Sequence, residues 1–136
     1  MKIDHIGIAT NGIADSSAVY CEALGLTAGE LEEVPSQKVR VAMLPVGESR
    51  IELLEPTSDQ SPISKFLAKR GPGIHHIAFR VDDIRAELAD LKSKGTRLID
   101  EEPRIGSGGC LVAFIHPSST GGVLIELVQR PAGQHS

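Results

Sequence analysis

Apolar residues recur at alternate positions through Ile3-Asp4-His5-Ile6-Gly7-Ile8-Ala9, and again through Gly73-Ile74-His75-His76-Ile77-Ala78-Phe79-Arg80-Val81. A period of two belongs to a β-strand, whose side chains point in turn to opposite faces. The first strand, about 3–9, sets Ile6 and Ile8 on one face and His5 on the other. The second, 74–81, keeps Ile77, Phe79 and Val81 with His75 on its apolar face and turns His76, Ala78 and Arg80 away from it. Each strand is followed by a turn containing Asp, then a helical stretch, then a glycine. The first helix is predicted over about 15–24, capped by Asp15 or Ser16 and stopped by Gly25. The second is predicted over about 84–94, capped by Asp83, with Ile84, Leu88 and Leu91 as its stripe and Gly95 as its stop.

Three further strands follow in each half. They are expected at 28–34, at 37–45 and around Glu52, with Pro35-Ser36 and Gly47-Glu48 as turns. In the second half they are expected at 96–100, at 110–116 and around Glu126, separated by a polar, glycine-rich loop (101–109) and a turn (117–122). Between the halves, a loop leads into a short helix that starts at Ser61-Pro62, with Pro at the first helical position. Ile63, Phe66 and Leu67 form its stripe, and Gly71-Pro72-Gly73 ends it.

Each half therefore reads strand-helix-strand-strand-strand, a duplicated module. Both halves close on one carboxylate set among apolar residues, Ile51-Glu52-Leu53 and Ile125-Glu126-Leu127, at nearly the same interval from the histidine. Neither half can cover its sheet alone. The expected fold is α+β, two tandem βαβββ modules forming a shared curved sheet around a metal-containing cleft. It makes one domain over 1–131, with module one at 1–56, a connector helix in 57–72, module two at 73–131, and a frayed tail at 132–136.

One strand histidine by itself is commonly a hydrogen-bonded structural residue, and one glutamate on a sheet commonly faces solvent. Four positions in matching phase change that balance. His5, Glu52, His76 and Glu126 make a mixed nitrogen and oxygen donor set suited to a divalent Co, Ni, Zn, Mn or Fe ion. On an ion that accepts six ligands, they would leave two places open for chemistry. The remaining candidates carry less. His75 sits in the opposite phase and reads as a packing residue, His116 either lines the pocket or only ends its strand, and His135 is in the tail. Lys65, Lys69 and Arg70 read as a solvated helix face, with Arg40 and Arg104 better placed to meet an anion. Gly106-Ser107-Gly108-Gly109 completes no phosphate-binding motif, although it could rim the cleft. No Ser or Cys has a base at motif spacing, so covalent catalysis has no support.

Composition narrows the partners. At 136 residues, 40% hydrophobic and 24% charged, the chain is an ordinary one-domain globule. A net charge of −4 without a basic run, and aromatics at 3%, argue against nucleic acid and anionic membranes as partners. No segment approaches the roughly 20 apolar residues of a membrane span, and Asp4-His5 stands where a signal peptide would need an apolar core. Cys21 and Cys110 form no CxxC pair and read as reduced thiols of a cytoplasmic protein.

On these residues the chain resembles the vicinal oxygen chelate superfamily and, within it, the methylmalonyl-CoA epimerases. The resemblance runs from Ile3 to Gln129. It rests on Asp4-His5-Ile6-Gly7-Ile8-Ala9, Ile51-Glu52-Leu53-Leu54-Glu55-Pro56, Ser61-Pro62-Ile63, Gly73-Ile74-His75-His76-Ile77, Val81-Asp82-Asp83-Ile84 and Gly121-Gly122-Val123-Leu124-Ile125-Glu126-Leu127. The His and Glu quartet alone is shared with glyoxalase I. The connector and the flanking segments are more specific. The resemblance implies a metal-dependent epimerase that interconverts (R)- and (S)-methylmalonyl-CoA through a metal-stabilised enolate, with cobalt as first choice of ion, acting as a homodimer. It makes Glu126 one proton-transfer group, with Glu52 or a water as the other. Some epimerases place an acid–base Glu on the third strand, where this chain has Val41, which leaves the second group open. A glyoxalase I-type lyase and a non-catalytic small-molecule binder of the same fold are the alternatives.

Overall fold

In the computed structural model, residues 1–132 are described, so the expected tail lies outside the described residues from position 133 onward. The chain divides into two compact units, His5–His75 in one and Met1–Asp4 with His76 onward in the other. Both are built on the same programme, and the fold is mixed α+β with tandem βαβββ modules.

In the first unit the strands are β1 (Lys2–Ala9), whose first residues belong to the other unit, β2 (Leu31–Val34), β3 (Val39–Val46) and β4 (Ser49–Pro56). Their order is β2-β3-β4-β1, antiparallel except for the parallel pair of β4 with β1. Helix α1 (Ile13–Ser17) continues into π-helical turns over Ala18–Ala23. The second unit repeats the order with β5 (Gly73–Arg80), α3 (Ile84–Ser93), β6 (Arg104–Ile105), β7 (Leu111–Ile115) and β8 (Ile125–Gln129), again with one parallel pair, β5 with β8. Helix α2 (Pro62–Arg70) is the connector.

Local chemistry explains the helix starts that the sequence foretold. Ser61 Oγ accepts the Ile63 amide at 3.2 Å ahead of Pro62, whose missing N–H needs no partner there. Asp83 Oδ1 accepts the Ala86 amide at 3.1 Å. Asp83→Ala should lower unfolding stability by about 1 kcal/mol, the usual worth of such a cap, with little change in activity. Denaturant titration measures it.

The cap expected at Asp15 or Ser16 is corrected by the structure. Helix α1 begins at Ile13, and its first amide is taken by a distant group, Glu55 Oε1, at 2.9 Å. In the second unit Gln129 Oε1 accepts the Ile84 amide at 2.9 Å in the same way. Each of these residues stands three positions after the module's glutamate, a repeat visible in the sequence that alternation alone did not bring out.

The strand expected over 96–100 is also different: one bridge, Leu98 to Ile115, replaces it. The reason is Asp100, whose Oδ2 accepts the Phe114 amide at 2.8 Å where a ladder carbonyl would otherwise serve. The loop expected over 101–109 holds the two residues of β6, and the strand expected over 28–34 shortens to Leu31–Val34. Just before it, Gly29 presses against β3, where an added Cβ would meet the Met43 carbonyl.

The strands of each unit present two differently used faces. In the first unit, α1 packs Ile13 on Ala42, Leu44 and Leu53, while α2 brings Ile63, Phe66 and Leu67 to the opposite face, against Ala9, Val39, Val41 and Leu54. In the second, α3 lays Ile84 and Leu88 on Ala113, Ile115 and Leu127, leaving Ala78, Cys110, Val112 and Val128 on the other side. The sequence points to Ile77 and Phe79 as the inward residues of β5. Instead both are half-buried, Phe79 against the α3 cluster, and the alternate set, His76, Ala78 and Arg80, is the fully buried one. Buried Asp4 anchors the second unit through Oδ1, which accepts Nε of Arg80 and Nε of Arg130, both at 3.0 Å.

Candidate functional site

The face of the first unit that α1 leaves uncovered carries His5 from β1 and Glu52 from β4. Parallel pairing sets Gly7 opposite Glu52, so the histidine stands one pleat back along β1 and leans over a residue without a side chain. Its Nε2 lies 3.5 Å from Glu52 Oε1. On its other side Glu52 is opposite Met43 of β3.

The second unit builds the same arrangement from different residues. Ala78 is opposite Glu126 in the parallel β5/β8 pair, His76 stands one pleat back, and His76 Nε2 is 3.0 Å from Glu126 Oε1. Phe114 of β7 takes the place that Met43 has in the first unit, and its ring meets the His76 imidazole edge-on with centroids 5.9 Å apart. Small residue on the histidine side and bulky apolar residue on the other recur in both units. The histidines are each 4% exposed and the glutamates each 7%. That burial decides against solvent-facing carboxylates: a glutamate so enclosed needs a cation, a proton or strong donors beside it.

The donor chemistry fits a divalent ion. Each unit offers one imidazole nitrogen and one carboxylate oxygen, buried and facing each other, the mixture that ions such as Co, Ni, Zn, Mn and Fe accept. The nitrogen and the oxygen stand 3.5 Å apart in the first pair and 3.0 Å apart in the second.

The other candidates separate clearly. His75 points away from this face and packs edge-on to Phe66 at 5.0 Å, as its phase foretold. His116 is used by the backbone: its Nδ1 accepts the Ser118 amide at 3.0 Å and caps the turn Pro117–Ser119. Lys65, Lys69 and Arg70 lie on the exposed side of α2. Arg40 is engaged by Glu55, with Nη1 2.6 Å from Oε2. Arg104 is held differently, its guanidinium 5.6 Å from the centre of the Phe114 ring. Val41 lies on the Glu52 face, buried, so no carboxylate arises from that strand position. Sequence reading did not find Met43, Phe114 or Asp100. Alternation places them in strands or loops without telling what stands opposite.

Known proteins resemble this chain over nearly its whole length. The family model of the glyoxalase/bleomycin resistance protein/dioxygenase superfamily matches residues 4–114. The mitochondrial methylmalonyl-CoA epimerase of Bos taurus is 39% identical over 94% of this chain and 74% of its own. The crystal structure of methylmalonyl-CoA epimerase from Mycobacterium tuberculosis superposes with a TM-score of 0.91 at 40% identity, covering 96% of this chain and 88% of that one. A methylmalonyl-CoA epimerase in complex with methylmalonyl-CoA and ammonium gives 0.92 at 41% identity, over 99% and 98%.

Proposed function

Because the chain belongs to the methylmalonyl-CoA epimerase family of the glyoxalase/bleomycin resistance protein/dioxygenase superfamily, we propose that it interconverts (R)- and (S)-methylmalonyl-CoA. The observation that carries this reading is the equal register of the two His–Glu pairs, Gly7 opposite Glu52 and Ala78 opposite Glu126. A duplicated donor pair is what one ion with several protein ligands requires. In this proposal His5, Glu52, His76 and Glu126 hold a single divalent ion, cobalt being the first to test. Burial of His5, Glu52 and His76, each with one donor atom, supports it. When bound, the ion supplies Lewis-acid stabilisation of negative charge on the thioester and carboxylate oxygens, an effect of several kcal/mol.

The chain's own residues do the rest. Inversion needs removal of the α-proton on one face and its return on the other, so two proton-carrying groups are required. Glu126 takes one role, as a buried carboxylate beside His76. With Val41 apolar, Glu52 takes the other. Met43 and Phe114 flank the two carboxylates in their own units and keep water from them, which strengthens every charge interaction there.

The decisive experiment compares methylmalonyl-CoA with methylglyoxal plus glutathione as substrates. Turnover of the first supports the proposal; turnover of the second alone would assign the same residues to a glyoxalase reaction, and turnover of neither would leave a binding protein. Glu52→Gln is the companion test. As ligand only, the amide oxygen still coordinates and most activity survives. As second base, inversion falls by roughly 10²-fold or more, while exchange of the α-hydrogen persists from one enantiomer.

Affinity for the CoA thioester should weaken as salt rises, because its anionic tail must meet local cations on a chain of net charge −4. Calorimetry at two ionic strengths checks this; an affinity indifferent to salt would speak against the α2 cations as contacts. The proposal takes residues 1–131 as one functional domain. A homodimer, to be measured by light scattering, and a cytoplasmic location, in keeping with two free cysteines, belong to it. Among the described residues no helix is long and apolar enough to cross a membrane.

A further inference from the structure

The two modules match around their glutamates but differ one strand further out. Opposite Val41, on the Glu52 face, β2 presents Glu32. At the corresponding place of the second unit, opposite Val112 and so on the Glu126 face, β6 presents Arg104. A pair of like metal-binding halves gives no reason for opposite charges at matching positions. A substrate that is itself unsymmetrical does.

Arg104 is also built in. β6 is only two residues long, and the chain turns back at once: the Gly106 amide donates to the Cys110 carbonyl at 2.8 Å, and a Cβ on Gly106 would lie 2.9 Å from Val112 Cγ1. The guanidinium rests over the Phe114 ring at 5.6 Å, and that ring touches His76. Such a face holds a cation in one orientation without using its N–H groups. Among the described residues its carboxylate partner is Asp100, through Nε at 3.5 Å, too long for a hydrogen bond, and Asp100 spends its other oxygen on the Phe114 amide. The Arg104 side chain remains 47% exposed. A positioned guanidinium with open donors, one aromatic ring away from the His76–Glu126 pair, is shaped for a planar oxyanion.

Resting on the epimerase reading, we infer that Arg104 recognises the free carboxylate of the malonyl group and so selects carboxylated acyl thioesters over plain ones. The CoA phosphates carry the same charge, but they sit at the far end of the pantetheine arm, away from the carbon that reacts. Arg104 is thus a specificity-determining residue that leaves proton transfer to the glutamates.

The test uses the full chain loaded with cobalt(II). Calorimetry compares methylmalonyl-CoA with propionyl-CoA, which lacks only the carboxylate. R104Q should weaken the first by roughly 10- to 100-fold, the worth of a charged hydrogen bond, and leave the second unchanged. R104K should recover part of the loss, since it restores charge without the fork. Kinetics then compare methylmalonyl-CoA with methylmalonyl-pantetheine, which keeps the carboxylate and lacks the nucleotide; kcat/KM should fall by the same factor for both. Equal weakening of methylmalonyl-CoA and propionyl-CoA, or a loss confined to CoA thioesters, would overturn the assignment. Failure of the unaltered protein to turn over methylmalonyl-CoA counts against the epimerase reading, whereas turnover with an unchanged ligand preference in R104Q overturns the role of Arg104 alone.

Discussion

Glu126→Gln should reduce epimerisation by roughly 10²-fold or more, the scale on which a positioned acid–base group acts, in a protein that remains folded. The substitution keeps the size of the side chain and one oxygen, and it removes the charge needed to accept a proton. Glu126 lies between Ala78 and Phe114 in neighbouring strands, 7% exposed, with His76 Nε2 at 3.0 Å. Solvent therefore has little access to replace it as base. Metal binding should weaken as well, since a neutral amide oxygen is a poorer ligand than a carboxylate. Isotope exchange separates the two effects. In heavy water the unaltered enzyme should place deuterium on the methyl-bearing carbon of both enantiomers, because removal and return of the proton pass through an enolate. With Glu126→Gln, saturated with metal, exchange should persist from one enantiomer only, the one whose proton faces the remaining base. Full activity with two-sided exchange would defeat the mechanism whatever the metal content.

His5→Ala or His76→Ala should each bring bound divalent metal and activity down to background, measured by elemental analysis after dialysis. Each His–Glu pair offers two donors, too few to retain an ion against water, so a shared ion is lost when either pair is broken. The variants also leave a buried glutamate without its imidazole neighbour, Glu52 or Glu126 respectively. Circular dichroism must therefore accompany the metal analysis, and a folded protein without metal is the expected pair of results. His75→Ala is the control: its ring packs on Phe66 and faces away from the donors, so metal stays while the melting temperature falls by a few degrees. Two ions per chain, of which His5→Ala removes one, would show separate sites and overturn the shared-ion proposal. Stoichiometric metal in the His5→Ala, His76→Ala double variant would remove both histidines from the ligand set.

Alternation and turn chemistry carried the strand and helix order because both are local. A side chain's face follows from counting by two along β1 and β5, and Ser61-Pro62 and Asp83 start helices from within their own turn. Duplication then singled out His5, Glu52, His76 and Glu126, since matching phase in a repeat survives without knowledge of what lies opposite. What stands across from each residue is a matter of register, and register is set by pairing between segments far apart in the chain. Only the folded sheet put Gly7 and Ala78 beside the glutamates, Met43 and Phe114 behind them, and Arg104 over an aromatic ring. The same reason explains the misplaced cap of α1. A nearby Asp15 or Ser16 was the local choice, but Glu55, brought in from the end of β4, reached the Ile13 amide first. It explains the missing strand over 96–100 as well, where the Asp100 side chain took the Phe114 amide from the ladder. In both cases a side chain distant in sequence takes a backbone amide, and only tertiary placement brings that partner within reach.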